Sequence, residues 1–266
     1  MVPWSEVRSG KSRITCPGCG KSKSDKTCGV LNTPEKGIAH CFRCGLISHR
    51  DGEYEAGEYV EDGKRFDTLA PWAQKWWDQS EPIHSVGSSY LKARSCVLPP
   101  RDGDLRYHFG LKHSPSKYIG PALIALITDP LTAKPLSLHR TWICADGKKA
   151  TKPGRMYLGR HAARGVCRLW PDEAVQGGLG IAEGIESALS LAHAFTPVWA
   201  CLDAGNMYHF PVLPGVESLT IAADNDEAGI RAAEACARRW KAAGREVRVV
   251  MGENEKEDLN DLAVAA

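Results

Sequence analysis

No apolar run in this chain is long enough to cross a membrane: the longest, "ALIALI" at 122 to 127, falls far short of the roughly 20 residues a spanning helix needs. The opening "MVPWSEVRSGKSR" lacks the apolar stretch of a secretory leader, so a cytoplasmic location is expected. Internal repeats and low-complexity tracts are absent. So is a P-loop, because "CGKS" at 19 to 22 puts Thr15, and "SGKS" at 9 to 12 puts Ser5, where G-x4-G-K-S needs its first glycine. No ATP-driven motor is therefore expected. Large apolar side chains are scarce over the first 50 residues, which are too few to fold on burial alone. Net charge is also small, at +2, but it hides segregation. Arg8 to Lys26 carries six Lys/Arg against one acid, and Arg140 to Arg168 carries eight against Asp146 alone. Local basic surface of this kind meets polyanions.

Cysteine is plentiful, with ten in 266 residues, yet only four are paired, as "CPGC" (Cys16, Cys19) and "CFRC" (Cys41, Cys44) with 21 residues between the pairs. Two such turns present four thiolates to one tetrahedral zinc, and Gly18, Gly20 and Gly45 allow the tight backbone path. A redox dithiol is excluded, since thioredoxin-like motifs come singly beside a βαβ unit. His40 and Cys28 are substitute ligands without a paired partner, so packing or surface roles suit them better. Structural zinc would also supply the folding energy that this segment's sparse core lacks.

Composition sets apart a Cys/Lys/Gly-rich start (1 to 50), expected to be a zinc ribbon, an acidic linker (51 to 67) and the rest, which the change to alternating strand and helix patterns divides into a basic subdomain (68 to 175) and a C-terminal unit (176 to 266). The "APWAQKWWDQS" stretch reads as a short helix after Pro71, with Trp72, Trp76 and Trp77 set for packing. "PALIALIT" and "SLHRTWICADG" read as an antiparallel hairpin around "DPLTAKP". Beyond residue 176, "GLGIA", "PVWACL", "SLTIAA" and "EVRVVM" alternate with helical segments, which predicts a largely parallel sheet covered on both faces. In the helix from Glu227 to Ala243, Ile230, Ala233, Ala237 and Trp240 form the buried stripe, and Glu234 and Arg238 an exposed pair.

In such a sheet, side chains at the carboxyl ends of strands converge on the ligand-binding edge. Glu183, Asp203, and Asp224 with Asp226 each follow a strand directly. Clustered carboxylates repel unless a hard cation joins them, and magnesium prefers carboxylate oxygens. For Asp226 the competing reading is a helix cap; Glu227 belongs to the first helical turn, where the dipole favours it.

A glutamate-glycine turn after one strand and an Asp-x-Asp after a later one, preceded by a four-cysteine zinc motif, resembles Toprim-type DNA primases of bacteria, phages and mobile elements. The resemblance implies an α/β fold with an N-terminal zinc ribbon and a Toprim-like primase core. It implies Glu183, Asp224 and Asp226 as catalytic and magnesium- or manganese-binding residues, with Asp258 as a weaker ligand in "KEDLNDLAV", where Asp261 follows three residues on rather than two. Many relatives place an aspartate four residues after the glutamate; here that position is Ser187, with Glu186 beside it. The expected activity is synthesis of short RNA primers from ribonucleoside triphosphates on single-stranded DNA, in a bacterial host's cytoplasm and beside a separate replicative helicase. Arg140, Lys148, Lys149, Lys152, Arg155, Arg160, Arg164 and Arg168 are the expected contacts to nucleic acid or nucleotide in the core. In the template-selecting ribbon the expected contacts are Lys21, Lys23, Lys26 and Arg43. Two alternatives stay open, a Toprim nuclease and a non-catalytic recombination mediator with a zinc site and a Toprim domain. A topoisomerase fits less well, for want of room for a tyrosine-bearing domain.

Overall fold

The computed structural model describes residues 2–20, 22, 25–34, 36–41, 43–44, 46–51, 68–114, 116–144, 146, 148, 150, 153–158, 165–255 and 257–265. The chain divides into two compact units, Met1–Lys64 and Arg65–Ala266. The expected acidic linker, apart from Asp51, lies outside the described residues.

The first unit is an antiparallel meander of β1 (Gly10–Ile14), β2 (Cys28–Asn32), β3 (Lys36–Cys41) and β4 (Ile47–Asp51). Its core consists of Val2, Val7, Val30, Ala39 and three cysteines, as small as the composition requires. Trp4 lies so close over Gly37 that a Cβ there would sit 2.7 Å from its ring, which leaves glycine the residue that fits. Buried Asn32 ties the N-terminal segment to the sheet by donating to the Val7 carbonyl at 2.9 Å.

The second unit begins with α1 (Pro71–Asp78) and α2 (Ser85–Ala93). There follow β5 (Leu105–His113), β6 (Tyr118–Thr128), β7 (Pro135–Trp142) and β8 (Arg155–Tyr157), an antiparallel sheet in that order. The β6–β7 hairpin is the expected one. Alternation along β6 serves two cores. Leu123, Ala125 and Ile127 face the larger cluster, which is shared with α2 and the C-terminal part, while Ala122, Ile124 and Leu126 face α1 through Trp77. Trp77 is buried beneath the Arg106 guanidinium and Trp76 packs edge-on to Trp72, so these two rings are packing residues, while Trp72 stays exposed.

The C-terminal part contains β9 (Gly178–Ala182), α3 (Ile185–Leu191), β10 (Val198–Ala200), α4 (Ala204–Tyr208), β11 (Ser218–Ala223), α5 (Glu227–Ala242), β12 (Glu246–Met251) and α6 (Leu259–Ala265). Its sheet, ordered β10-β9-β11-β12, is wholly parallel. The α5 stripe is realised through Ala233, Ala237 and Trp240, and Glu234 pairs with Arg238 on the exposed face; Ile230 is only half-buried. The segment Val166–Cys167 joins the two sheets. Val166 exchanges both backbone hydrogen bonds with Thr128 at the end of β6, and Cys167 does the same with Ala200 of β10.

Candidate active site and metal centre

The four paired cysteines come together. Their sulfurs all lie within 4.8 Å of one another, with Cys16–Cys44 at 3.7 Å and Cys19–Cys41 at 3.6 Å. Four thiolates at about 2.3 Å from one tetrahedral zinc have an S–S separation of about 3.8 Å, close to the two separations above, so the tetrad suits that ion. The amide of Gly18 donates to the Cys16 sulfur and that of Arg43 to the Cys41 sulfur, the polarised backbone that metal-binding thiolates use. Backbone donors, from Cys44 first, pull the Cys41 thiol down, while burial and the adjacent thiols push Cys19 up. At Gly20 a Cβ would meet the Cys16 carbonyl oxygen at 2.6 Å, so the first turn needs glycine there. Arg43, expected to contact nucleic acid, forms a two-pronged ion pair with Asp25, at 2.6 and 2.9 Å, and also donates to the Cys19 carbonyl. It braces one cysteine turn against the other. Lys21 and Lys23 lie outside the described residues.

The second site follows from sheet topology. The chain leaves β9 on one side for β10 and returns across it to β11, so the carboxyl ends of β9 and β11 border a topological switch point, where open α/β sheets bind ligands. Ala182 is in register with Ala222, which puts Glu183 and Asp224 just past the ends of adjacent strands. Burial, then Asp224, Asp226 and Asp203, push the Glu183 carboxyl up to about 7. Burial, then Asp258 and Asp226, push Asp224 up to about 6, against the opposing pull of Arg155. One oxygen of Asp224, Oδ1, is buried with no hydrogen-bond partner among the described residues. A half-buried carboxylate with an orphaned oxygen, ringed by other acids, is an arrangement a hard cation would neutralise, and the all-oxygen donor set suits magnesium or manganese. The acids are spread more loosely than the sulfurs: among the described residues, only the cysteines bring three or more ligand atoms within 4.8 Å.

The other acids also cap local backbone. Asp226 caps α5, its Oδ1 accepting from the Gly229 amide at 2.8 Å. The cap reading of Asp226 is thus realised at Oδ1, while the carboxylate's charge acts on Glu183 and Asp224. Gly229 is required by proximity, since a Cβ would fall 2.4 Å from the Asp224 carbonyl oxygen. Asp258 accepts from the Asp261 amide at 2.9 Å while Asp261 reaches back to the Asp258 amide at 3.4 Å, a reciprocal cap that explains the three-residue spacing. Asp203 caps α4 through Asn206 and accepts a hydrogen bond from Tyr157 at 2.8 Å. Burial and Asp203 raise the Tyr157 phenol, keeping it a donor.

Glu186 does not stand in for the missing family aspartate. It is buried beneath α2, accepting from the Tyr90 hydroxyl at 2.6 Å, and Ser187 is buried beside it. Neighbouring Asn260, fully buried, donates to the Arg94 carbonyl at 2.6 Å and to Ser190 Oγ at 3.0 Å, which pins α6 and with it Asp258. Sequence reasoning missed Tyr157, Tyr90 and Asn260. Each acts through a partner 46 or more residues away, a pairing with no periodic signature.

Two of the expected basic contacts require correction. Arg168 is 6% exposed, ion-paired with Asp172 at 2.7 Å, and donates to Thr128 Oγ1 and to the carbonyls of Asp129 and Pro130. Arg140 is buried against the rings of Trp76 and Trp142 and donates to the Tyr157 carbonyl. Each guanidinium is buried and taken up by the fold, so neither is available to a phosphate. Arg168→Ala is expected to lower stability by about 3 kcal/mol in urea unfolding, because it strands three acceptors, while leaving the folded protein's affinity for single-stranded DNA within twofold. Arg155, by contrast, is exposed on β8 and acts on Asp224. Lys148 is exposed beside Asp146, at 3.5 Å. Lys149, Lys152, Arg160 and Arg164 lie outside the described residues.

With this geometry established, the comparison with known families is decisive for one part of the chain: residues 178–266 match the Toprim domain. The C-terminal third is a Toprim domain. Residues 68–169 match a domain of unknown function, DUF7146. Curated protein sequences give no match. Among solved structures, the zinc-binding and RNA polymerase domains of the Aquifex aeolicus primase are similar at 15% identity and a TM-score of 0.46, over 97% of this chain and 76% of that one. The primase fragment of the bacteriophage T7 primase-helicase protein is similar at 16% identity and a TM-score of 0.42, over 96% and 95%. Likenesses this distant add no weight of their own to the Toprim assignment. Among the described residues no helix is long and apolar enough to cross a membrane.

Proposed function

We propose that the protein is a DNA primase that joins ribonucleotides on a single-stranded DNA template by metal-dependent nucleotidyl transfer. The observation that carries this reading is the Toprim acid cluster itself, in which Glu183 and Asp224 are held half-buried with raised affinities for protons and Asp224 Oδ1 has no hydrogen-bond partner among the described residues. A four-cysteine centre in the same chain supports it.

Asp224, Asp226 and Glu183 would hold magnesium or manganese, with Asp258 behind them; when bound, the ion supplies charge neutralisation at the α-phosphate and eases loss of the 3′-hydroxyl proton. Glu183, with a carboxyl near 7, is suited to take that proton at neutral pH. Arg155, on the strand beside the cluster, gives a phosphate a cationic contact among the acids. Tyr157 holds Asp203 in place and so preserves the cluster's spacing. The zinc unit would select the template start, and a separate helicase would supply the exposed strand.

The test is incubation of the full chain with short single-stranded templates, magnesium and labelled ribonucleoside triphosphates. Labelled products a few nucleotides long, dependent on template sequence, are expected. Shortening of an end-labelled template without ribonucleotides would instead identify a nuclease, and tight magnesium-independent binding with no product would identify a recombination mediator.

A further inference from the structure

The two most exposed large hydrophobic side chains among the described residues, Phe109 at 77% and Ile119 at 63%, both belong to one hairpin. They lie on β5 and β6, where the register breaks between His108 and Leu111. A bulge at such a break re-aims a side chain. This bulge is held by His108, buried to 6% exposure, whose Nδ1 accepts from the Gly110 amide at 3.1 Å. Acceptance by Nδ1 requires that nitrogen to be unprotonated, and burial keeps the imidazole on the neutral side. The His108 and Phe109 rings lie nearly parallel, 20° apart, with centroids 5.6 Å from each other, so the displayed ring is backed on one side and open on the other.

Charge decides what such a surface takes. From Leu105 to Thr128 the hairpin carries Arg106, Lys112 and Lys117 and not one carboxylate. Lys112 is the cross-strand partner of Ile119, and Lys117 stands exposed near the tip. Glu81, which pairs alongside β5 at Tyr107, is engaged with His84 at 2.7 Å. An open aromatic face among cations without acids matches a strand of stacked bases and phosphates, whereas an apolar protein partner makes no use of the uncompensated charge.

We propose that the Phe109 face of the β5–β6 hairpin is a single-stranded nucleic acid site, with a base stacked on the Phe109 ring and phosphates on Lys112 and Lys117. This deepens the primase reading and rests on it only for the strand being a template.

The test measures fluorescence anisotropy of a labelled oligothymidylate with the full chain, without nucleotides or magnesium. Phe109→Ala is expected to weaken binding about 5- to 50-fold and Phe109→Trp to keep it within twofold. The pair Lys112→Glu and Lys117→Glu is expected to weaken binding and flatten its salt dependence. Phe109 is on the surface, so its variants should fold like the parent, which circular dichroism checks. The proposal is overturned if Phe109→Ala binds within twofold of the parent, if the parent does not bind the oligonucleotide, or if the substitution changes only self-association in sedimentation. The two readings fail separately. Phe109-dependent binding in a protein that makes no primers removes the primase function and keeps the site, whereas normal primer synthesis and binding by Phe109→Ala removes the site alone.

Discussion

Asp224→Asn is expected to abolish primer synthesis and to stabilise the metal-free protein at the same time. The loss of activity should reach about 100-fold or more, since a ligand oxygen on a catalytic cation contributes several kcal/mol to the transition state and about 1.4 kcal/mol is tenfold in rate. The gain in stability follows from linkage. Because the folded carboxyl sits at about 6, above the ordinary 3.8, the native state holds its proton more tightly than the unfolded chain does. Stability of the metal-free protein therefore falls as pH rises from about 4 to about 6 for Asp224, and on to about 7 for Glu183. In a site sealed from water, that difference in proton affinity would cost the ionised native state about 3 kcal/mol. Asp224 keeps part of its surface in water, so about 1 kcal/mol is the expected gain at pH 8, or a rise of a few degrees in Tm. Thermal melts of parent and variant at pH 4 and pH 8, with and without magnesium, check this. The curves should coincide at pH 4, separate at pH 8 with the variant higher, and close again when magnesium is added to the parent. A variant less stable than the metal-free parent at pH 8 would show that Asp224 is a structural anchor instead.

Removing zinc should cost the first unit its fold and leave the second intact. The hydrophobic cluster of the first unit contains Cys16, Cys28 and Cys41 alongside a few valines and one alanine, so nothing replaces the roughly 10 to 16 kcal/mol that a structural zinc supplies. In Cys41→Ser, or after treatment with a strong chelator, limited proteolysis should cut freely between residues 10 and 51 while residues 68 to 266 stay protected. Template-selective initiation should fall with it, and extension of a supplied dinucleotide less so. Unchanged protection of the first unit after the metal is stripped would contradict the assignment.

Both expectations rest on features that the sequence displays openly. The C-x2-C pairs are local, and tetrahedral sulfur chemistry leaves few other uses for them. The Toprim strands are apolar runs followed directly by acids, so β9 and β11 mark Glu183 and Asp224 without help from tertiary structure. What stayed hidden depends on which way a side chain faces. Arg140 and Arg168 count as basic residues in any tally of charge, but one occupies an inward position of β7 and the other the segment joining two sheets. Glu186 looks like a spare ligand until α3 is wound, whereupon it turns to Tyr90. Phe109 reads as an ordinary strand residue, because the bulge that turns it out arises from a histidine bonding its own backbone two residues on.

The seam at Val166 and Cys167 gives the boundary between the two matched families a different meaning. Sequence similarity breaks between residues 169 and 178, as if two modules met there, yet the backbone hydrogen bonds run straight from β6 through this segment into β10. The large apolar cluster likewise draws on both sides, with Ile143 and Leu123 packed in the same body as Ala188 and Leu189. Heredity and folding thus divide this chain at different places. A fragment cut at the family boundary would leave β10 as an open edge above a half-exposed core.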